Sequence, residues 1–170
     1  MSEVELFPGH VARLGVIPLD DLVSRPGLEL LQGVIKGNYP SPNIAATLNF
    51  ALVDVAAGKA VFRGLPQEAH LNPLGIVHGG WAATLLDSAL GCAVHTLLEA
   101  GEAYTTAEFK VNFIRPVTPR TGEVVCEGRV LHRGKTLAVS EASLRDVEGK
   151  LLALGTETCS IFPASTLLTR

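Results

Sequence analysis

Cysteine is scarce and unpaired in this chain. Cys92, Cys126 and Cys159 are the three among 170 residues, an odd number with no Cys-x-x-Cys spacing. That argues against a disulfide framework and a zinc knuckle. Reduced thiols fit a cytoplasmic protein, and the three read as small core residues. Cationic clusters are lacking too. The formal net charge is −3, and no Lys/Arg run marks a nucleic-acid surface. An anionic ligand therefore needs local positive groups rather than a global field. No apolar run reaches the ~18 residues of a membrane span, and Met1-Ser2-Glu3-Val4-Glu5 lacks the basic-then-apolar order of a signal peptide. His10, His70, His95 and His132 fall at no metal-ligand spacing, so no metal is expected. There is no internal repeat and no low-complexity segment. The expectation is one intracellular domain with a short extension and neither nucleic-acid nor membrane partners. At 47% hydrophobic residues it can bury a sizeable core.

Residues 1–24 show no clear period. Pro26 to Lys36 is predicted as a short helix: Pro26 suits a first turn, Leu28, Leu31 and Ile35 share a face, and Gly37 ends it. Residues 38–43 read as a loop. Strands are expected at 48–55 and 60–65 around an Ala57-Gly58 turn. An irregular stretch then leads to His78. From Gly79 to about Leu98 runs one long apolar helix rich in small residues, the pattern of a buried helix that a sheet approaches closely. Strands follow at 105–113, 124–132, 136–145 and 151–162, turned at Arg133-Gly134-Lys135 and Glu148-Gly149. In the first of these, Ala107, Phe109, Val111 and Phe113 alternate with Glu108, Lys110 and Asn112. The sum is α+β: an antiparallel sheet wrapped around one central helix. No βαβ alternation and no Gly-x-Gly-x-x-Gly fingerprint supports a Rossmann sheet.

The chemistry concentrates at Asn72-Pro73-Leu74-Gly75-Ile76-Val77-His78-Gly79-Gly80 and at Asp87. Gly79 and Gly80 open the helix, where unpaired N–H groups sit at the positive end of the dipole. Glycine lets a ligand oxygen come close, so this is a ready oxyanion hole. The plainer reading is a tight loop before a helix. Asp87 lies two turns into an otherwise apolar segment, where a buried carboxyl is rare unless paired or used. It could serve as general base or as nucleophile; otherwise it faces solvent or caps a loop. His78 could bond turn backbone. Asn72, before a proline, competes between a turn role and an amide donor. Arg133 and Lys135 flank a hairpin glycine, either solvated or placed for phosphates.

Together these residues resemble the hotdog-fold acyl-CoA thioesterases, nearest the phenylacetic-acid-degradation type within the 4-hydroxybenzoyl-CoA thioesterase family. The resemblance covers about residues 45–163 as a hotdog domain, with 1–44 as an N-terminal extension and 164–170 as a tail. It rests on Asn72-Pro-x-Gly-x-x-His78-Gly79-Gly80 with Asp87 nine residues after the His, on Val111-Asn112-Phe113-Ile114-Arg115-Pro116, and on the His132–Lys135 turn. It implies that the Gly79 N–H polarises a thioester carbonyl with help from Asn72, that His78 supports the site, and that Asp87 arrives from a partner subunit. Thr106 would hold the water, although alternation puts it on the polar face with Glu108 and Lys110 and leaves Thr105 as the alternative. Coenzyme A, part of the substrate rather than a cofactor, would lie near Arg133, Gly134 and Lys135. Such proteins are dimers with shared active sites, commonly paired into tetramers. A split site agrees with the spacing, because at ~100° per residue His78 and Asp87 fall on opposite helix faces.

The expected function is hydrolysis of an acyl- or aryl-CoA thioester to free acid and CoA. The alternatives are a hotdog hydratase or dehydratase, and a non-catalytic acyl-CoA-binding oligomer. The acyl group is not readable at this level.

Overall fold

The computed structural model describes residues 3–169. An N-terminal hairpin, β1 (Glu3–Phe7) and β2 (His10–Arg13), leads through three short helices, α1 (Leu19–Ser24), α2 (Gly27–Ile35) and α3 (Ile44–Leu48). β3 (Phe50–Ala56) and β4 (Lys59–Gly64) precede the long helix α4 (Gly79–His95). Then come β5 (Glu102–Phe113), β6 (Val124–Arg133), β7 (Leu137–Asp146) and β8 (Leu151–Pro163). The last six strands form one antiparallel sheet in the order β3-β4-β6-β7-β8-β5. This is the expected α+β arrangement, a sheet wrapped around one helix.

α4 is held because its apolar side chains have nowhere else to go. Trp81, Ala82, Leu85, Leu86, Ala89, Leu90, Ala93 and Val94 are all buried, most of them completely. The sheet meets them with glycine. A Cβ on Gly128 of β6 would stand 2.2 Å from the carbonyl oxygen of Ala89. Helix backbone and sheet therefore touch directly there, a closer approach than small helix residues alone achieve. Trp81 anchors the first turn by donating from Nε1 to the Leu48 carbonyl at 2.7 Å. The helix stops at Thr96, whose Oγ1 donates to the Ala93 carbonyl and accepts from Gly58 N–H. The end lies about one turn earlier than the apolar pattern suggested, and Leu98 is buried just beyond it.

Three local expectations change. Residues 1–24, without a period, hold the β1–β2 hairpin and α1. Pro8-Gly9 turns the hairpin, and Leu6, Phe7 and Ala12 bury against Ala45 and Ala51. α2 turns a different face inward than Leu28, Leu31 and Ile35. Gly27, Leu30 and Leu31 are buried and Ile35 is exposed, because Gly27 packs against the end of α4 at His95. The strand expected at 48–55 starts at Phe50, since α3 occupies 44–48 and closes at Asn49 with φ of +56°.

The most consequential change is in β5. Its ladder with β8 pairs Thr106 with Cys159 and Glu108 with Thr158, so Ala107 is an extra, bulged residue. The alternation slips by one. Thr106 moves off the face of Glu108 and Lys110 and turns toward α4 with Tyr104, Val111 and Phe113.

The direct contact at Gly128 yields a stability prediction. Gly128→Ala drives a methyl into helix backbone and should cost about 1–3 kcal/mol, measured by urea denaturation with an unchanged slope. A loss under about 0.5 kcal/mol would show that α4 can slide away at little cost.

Candidate active site

The loop before α4 is built by Asn72. Its Oδ1 accepts from Leu74 N–H at 2.9 Å and from Ile76 N–H at 3.4 Å, while its backbone exchanges hydrogen bonds with Ile76 and Gly75. The turn role is thus real, and Gly75 supports it with φ of +77°. The Nδ2 amide has no partner among the described residues and is free to donate. Val77 N–H and His78 N–H donate to the carbonyls of Val117 and His70 and fix the loop onto the core.

His78 is the N-cap of α4: its Nδ1 accepts from Gly80 N–H at 2.9 Å. A ring nitrogen that accepts carries the lone pair, so in the neutral ring the proton sits on exposed Nε2. Gly79 N–H stays unpaired at the first helical position. Phe113 covers this glycine; a Cβ there would stand 3.0 Å from Cζ. The loop therefore presents one backbone donor, one imidazole N–H and one amide at the positive end of a 17-residue helix.

Asp87 lies about 12 Å further along the axis at 1.5 Å per residue, half-buried. Thr106 Oγ1 is 3.5 Å from Asp87 Oδ1 and 3.1 Å from Glu157 Oε1. Burial pushes the Asp87 carboxyl above its ordinary range, and the Thr106 hydroxyl partly offsets it. Thr106, rather than Thr105, is the hydroxyl at the acid. Glu157 was not singled out above, although a signal for it exists. Along β8 it shares a period-two face with Ala153, Gly155, Cys159 and Ile161, all buried. A carboxyl in an otherwise apolar inward face is the mark of a functional or paired group.

Asp87 and Thr106 open into a cavity of about 420 Å³. One wall is the face of α4 from Asp87 through Cys92 to His95, again about 12 Å long. The opposite wall is supplied by the extension, including Val16, Ile17 and Leu22. The cavity is lined mainly by apolar groups and is uncharged beyond Asp87. Burial pushes His95 down to about 4 and the Cys92 thiol up to about 12, and it raises Tyr104. Residues 1–44 therefore do more than precede the domain.

The hairpin after β6 is less open than expected. Arg133 is ion-paired with Glu102, and Gly134 N–H donates to the Leu137 carbonyl at 2.8 Å. Lys135 is exposed and makes no ion pair among the described residues. Among the described residues no helix is long and apolar enough to cross a membrane, and no group of three or more His, Cys, Asp or Glu could hold a metal ion.

Within one chain the donors at Gly79 and the acid at Asp87 do not converge. Asn72, His78 and Gly79 gather at one end of α4, and Asp87, Thr106 and Glu157 gather two turns away. The cap is separable from any chemistry at the imidazole. His78→Ala should lose about 1 kcal/mol of stability in thermal or urea unfolding, and His78→Asn should recover most of it. Equal loss in both would mean that the ring holds the loop by something other than the cap.

Known proteins are similar to this chain in sequence and fold. The family model described as the thioesterase superfamily matches residues 74–153, the stretch from the Asn72 turn into β8. Acyl-coenzyme A thioesterase 13 of Homo sapiens is 33% identical over 131 residues, which is 75% of this chain and 91% of that protein. Among solved structures, the phenylacetic acid degradation-related protein of Ralstonia eutropha JMP134 superposes with a TM-score of 0.70 at 30% identity, covering 76% of this chain and 98% of that one. A thioesterase family protein from Silicibacter pomeroyi gives 0.70 at 26% identity, covering 78% and 98%. With the hotdog sheet, the capped helix and the acid in the helix all in place, this chain belongs to the thioesterase superfamily.

Proposed function

We propose that the protein hydrolyses acyl-CoA thioesters, as the name of its human relative says of that protein. The observation that carries the reading is the Asp87–Thr106 pair opening into an apolar cavity on a scaffold whose helix start offers an unpaired Gly79 N–H. The acyl or aryl group lies in the cavity, and the thioester carbonyl is polarised by Gly79 N–H, with Asn72 Nδ2 beside it. Thr106 holds a water against Asp87, which takes its proton as general base. The water oxygen bonds to the carbonyl carbon, the C–S bond breaks, and the proton passes to the departing CoA thiolate. The His78 imidazole holds the donor end through its cap. Lys135 is the hairpin cation available to a CoA phosphate, because Arg133 is engaged by Glu102. The wall supplied by residues 15–42 sets acyl-group preference.

The two halves of this site come from two copies of the chain. β5 is an edge strand twelve residues long, and Phe109, Phe113 and Ile114 on it or just beyond it are 38%, 59% and 46% exposed. An unpaired edge of this kind is a template for another strand. β5 runs along α4, with Tyr104 at Gly91, Thr106 at Asp87 and Phe113 at Gly79. A two-fold axis between Phe109 and Lys110 then sets Thr106 opposite Phe113 of a second copy. That brings the second copy's Gly79 to Asp87, twice per dimer. Pairing of dimers into tetramers is a further part of this proposal.

Release of free thiol from an acyl-CoA panel, phenylacetyl to palmitoyl, tests the reading. Asp87→Asn should lower kcat by about 10²- to 10⁴-fold, the usual worth of a general base. A wild type that binds the esters without cleaving them would leave a binding oligomer in place of an enzyme; hydration of an enoyl ester would mark a hydratase. Mixing subunits tests the shared site. Asp87→Asn and Gly79→Val, each inactive alone, should regain activity when unfolded and refolded together, because a mixed dimer holds one intact site. No recovery, despite mixed dimers on native mass spectrometry, would place both groups of each site in one chain.

A further inference from the structure

Glu157 is an acid that the hydrolytic chemistry above does not use. It is 1% exposed, in the middle of β8, beneath α4. Its Oε1 lies 3.1 Å from Thr106 Oγ1 and 2.8 Å from Cys159 Sγ, and its Oε2 has no hydrogen-bond partner among the described groups. Directly across the β7–β8 ladder stands Ser140, fully buried, whose Oγ is likewise without a partner. A buried carboxyl with half its oxygens unsatisfied is costly to keep. Leu or Val would fill β8 without that cost.

Proton counting gives the carboxyl a task. A threonine hydroxyl has one proton to donate, and Thr106 stands between two acids. If Glu157 is ionised, the Thr106 proton and the Cys159 S–H both go to Glu157, and Asp87 receives nothing. If Glu157 is protonated, it donates to Thr106 Oγ1, and the Thr106 proton is released toward Asp87 and the water there. We propose that Glu157 is a positioning residue of the hydrolytic site, acting as the neutral acid that turns the Thr106 hydroxyl toward Asp87. This role rests on the thioesterase reading and adds to it a second carboxyl, one that does not touch the substrate.

The surroundings favour the neutral form. α4 contributes Asp87 and Cys92, β5 contributes Tyr104 and Glu108, β8 contributes Cys159, and β7 contributes uncharged Ser140. None of these is a cation. Burial, then the charges of Asp87 and Glu108, push the Glu157 carboxyl up to about 7 against the hydrogen bonds from Cys159 and Thr106. Glu157 therefore ionises near neutrality, and Thr106 turns away from Asp87 as it does. The same shift links to folding. A carboxyl whose folded value is raised contributes stability that is full below its unfolded value of about 4.5 and is lost as pH rises through about 7.

The test compares wild type, Glu157→Gln and Glu157→Leu, with kcat, KM and melting temperature followed from pH 5 to pH 9. Gln keeps a donor to Thr106 and cannot ionise; Leu fills the space without a donor. In wild type, kcat should fall as pH rises through about 7 with KM unchanged. Glu157→Gln should keep at least half of the wild-type kcat below neutrality and lose the alkaline fall. Glu157→Leu should lose tenfold or more in kcat at every pH while remaining folded. The melting temperature of wild type should drop from pH 5 to pH 8 more than that of Glu157→Gln. Active wild type with a pH profile superimposable on that of Glu157→Gln would overturn the proposal alone, as would full activity in Glu157→Leu. A wild type that cleaves no thioester would sink the thioesterase reading, and this role with it.

Discussion

The direct contact between α4 and the sheet is the constraint on which the rest depends. Gly128 lets the sheet reach the backbone of Ala89, and the ring of buried Leu and Ala side chains locks the helix at that depth. A helix fixed in this way fixes both ends of the chemistry. Its first turn projects the unpaired Gly79 N–H out of the core, and it holds Asp87, two turns on, half-buried beside Thr106. Moved by one turn, it would separate Asp87 from Thr106 and Gly79 from the strand edge.

Low local polarity then does the electrostatic work. Asp87, Thr106 and Glu157 share a space bounded by apolar side chains, where carboxyl groups hold protons more tightly than in water. The cavity continues that environment along α4 to His95, which burial keeps neutral. Its far wall is the N-terminal extension, which brings no cation or carboxylate into it. The cavity thus offers apolar surface and a few uncharged polar groups, with Asp87 its one acidic lining residue. The ion pair of Arg133 with Glu102 similarly keeps one of the hairpin's two cations occupied.

The edge position of β5 joins the fold to the assembly. A strand that carries Thr106 at Asp87 and Phe113 at Gly79 is a ruler laid along the helix. In the proposed dimer its free edge would take the same ruler in reverse. The dimer proposed above would complete two sites and cover exposed Phe109 and Phe113.

What the sequence determined by itself was local. The apolar run of α4, its glycine start, the alternation of β6 to β8 and the Asn72–Gly80 loop were legible, because period, capping and turn chemistry act over a few residues. The short extension was less legible: its hairpin buries a handful of side chains, too few to set a period. What only tertiary structure decided was which side chains meet. One bulged residue at Ala107 reversed the face of Thr106, and a bulge is a property of the ladder with β8 rather than of β5 alone. Glu157 lay on a readable inward face, yet its meaning came from Thr106 and Asp87, 51 and 70 positions away in the chain. Local sequence sets the direction of each strand and helix. The register between them, fixed by packing across the whole sheet, sets the distances between acids on which the chemistry turns.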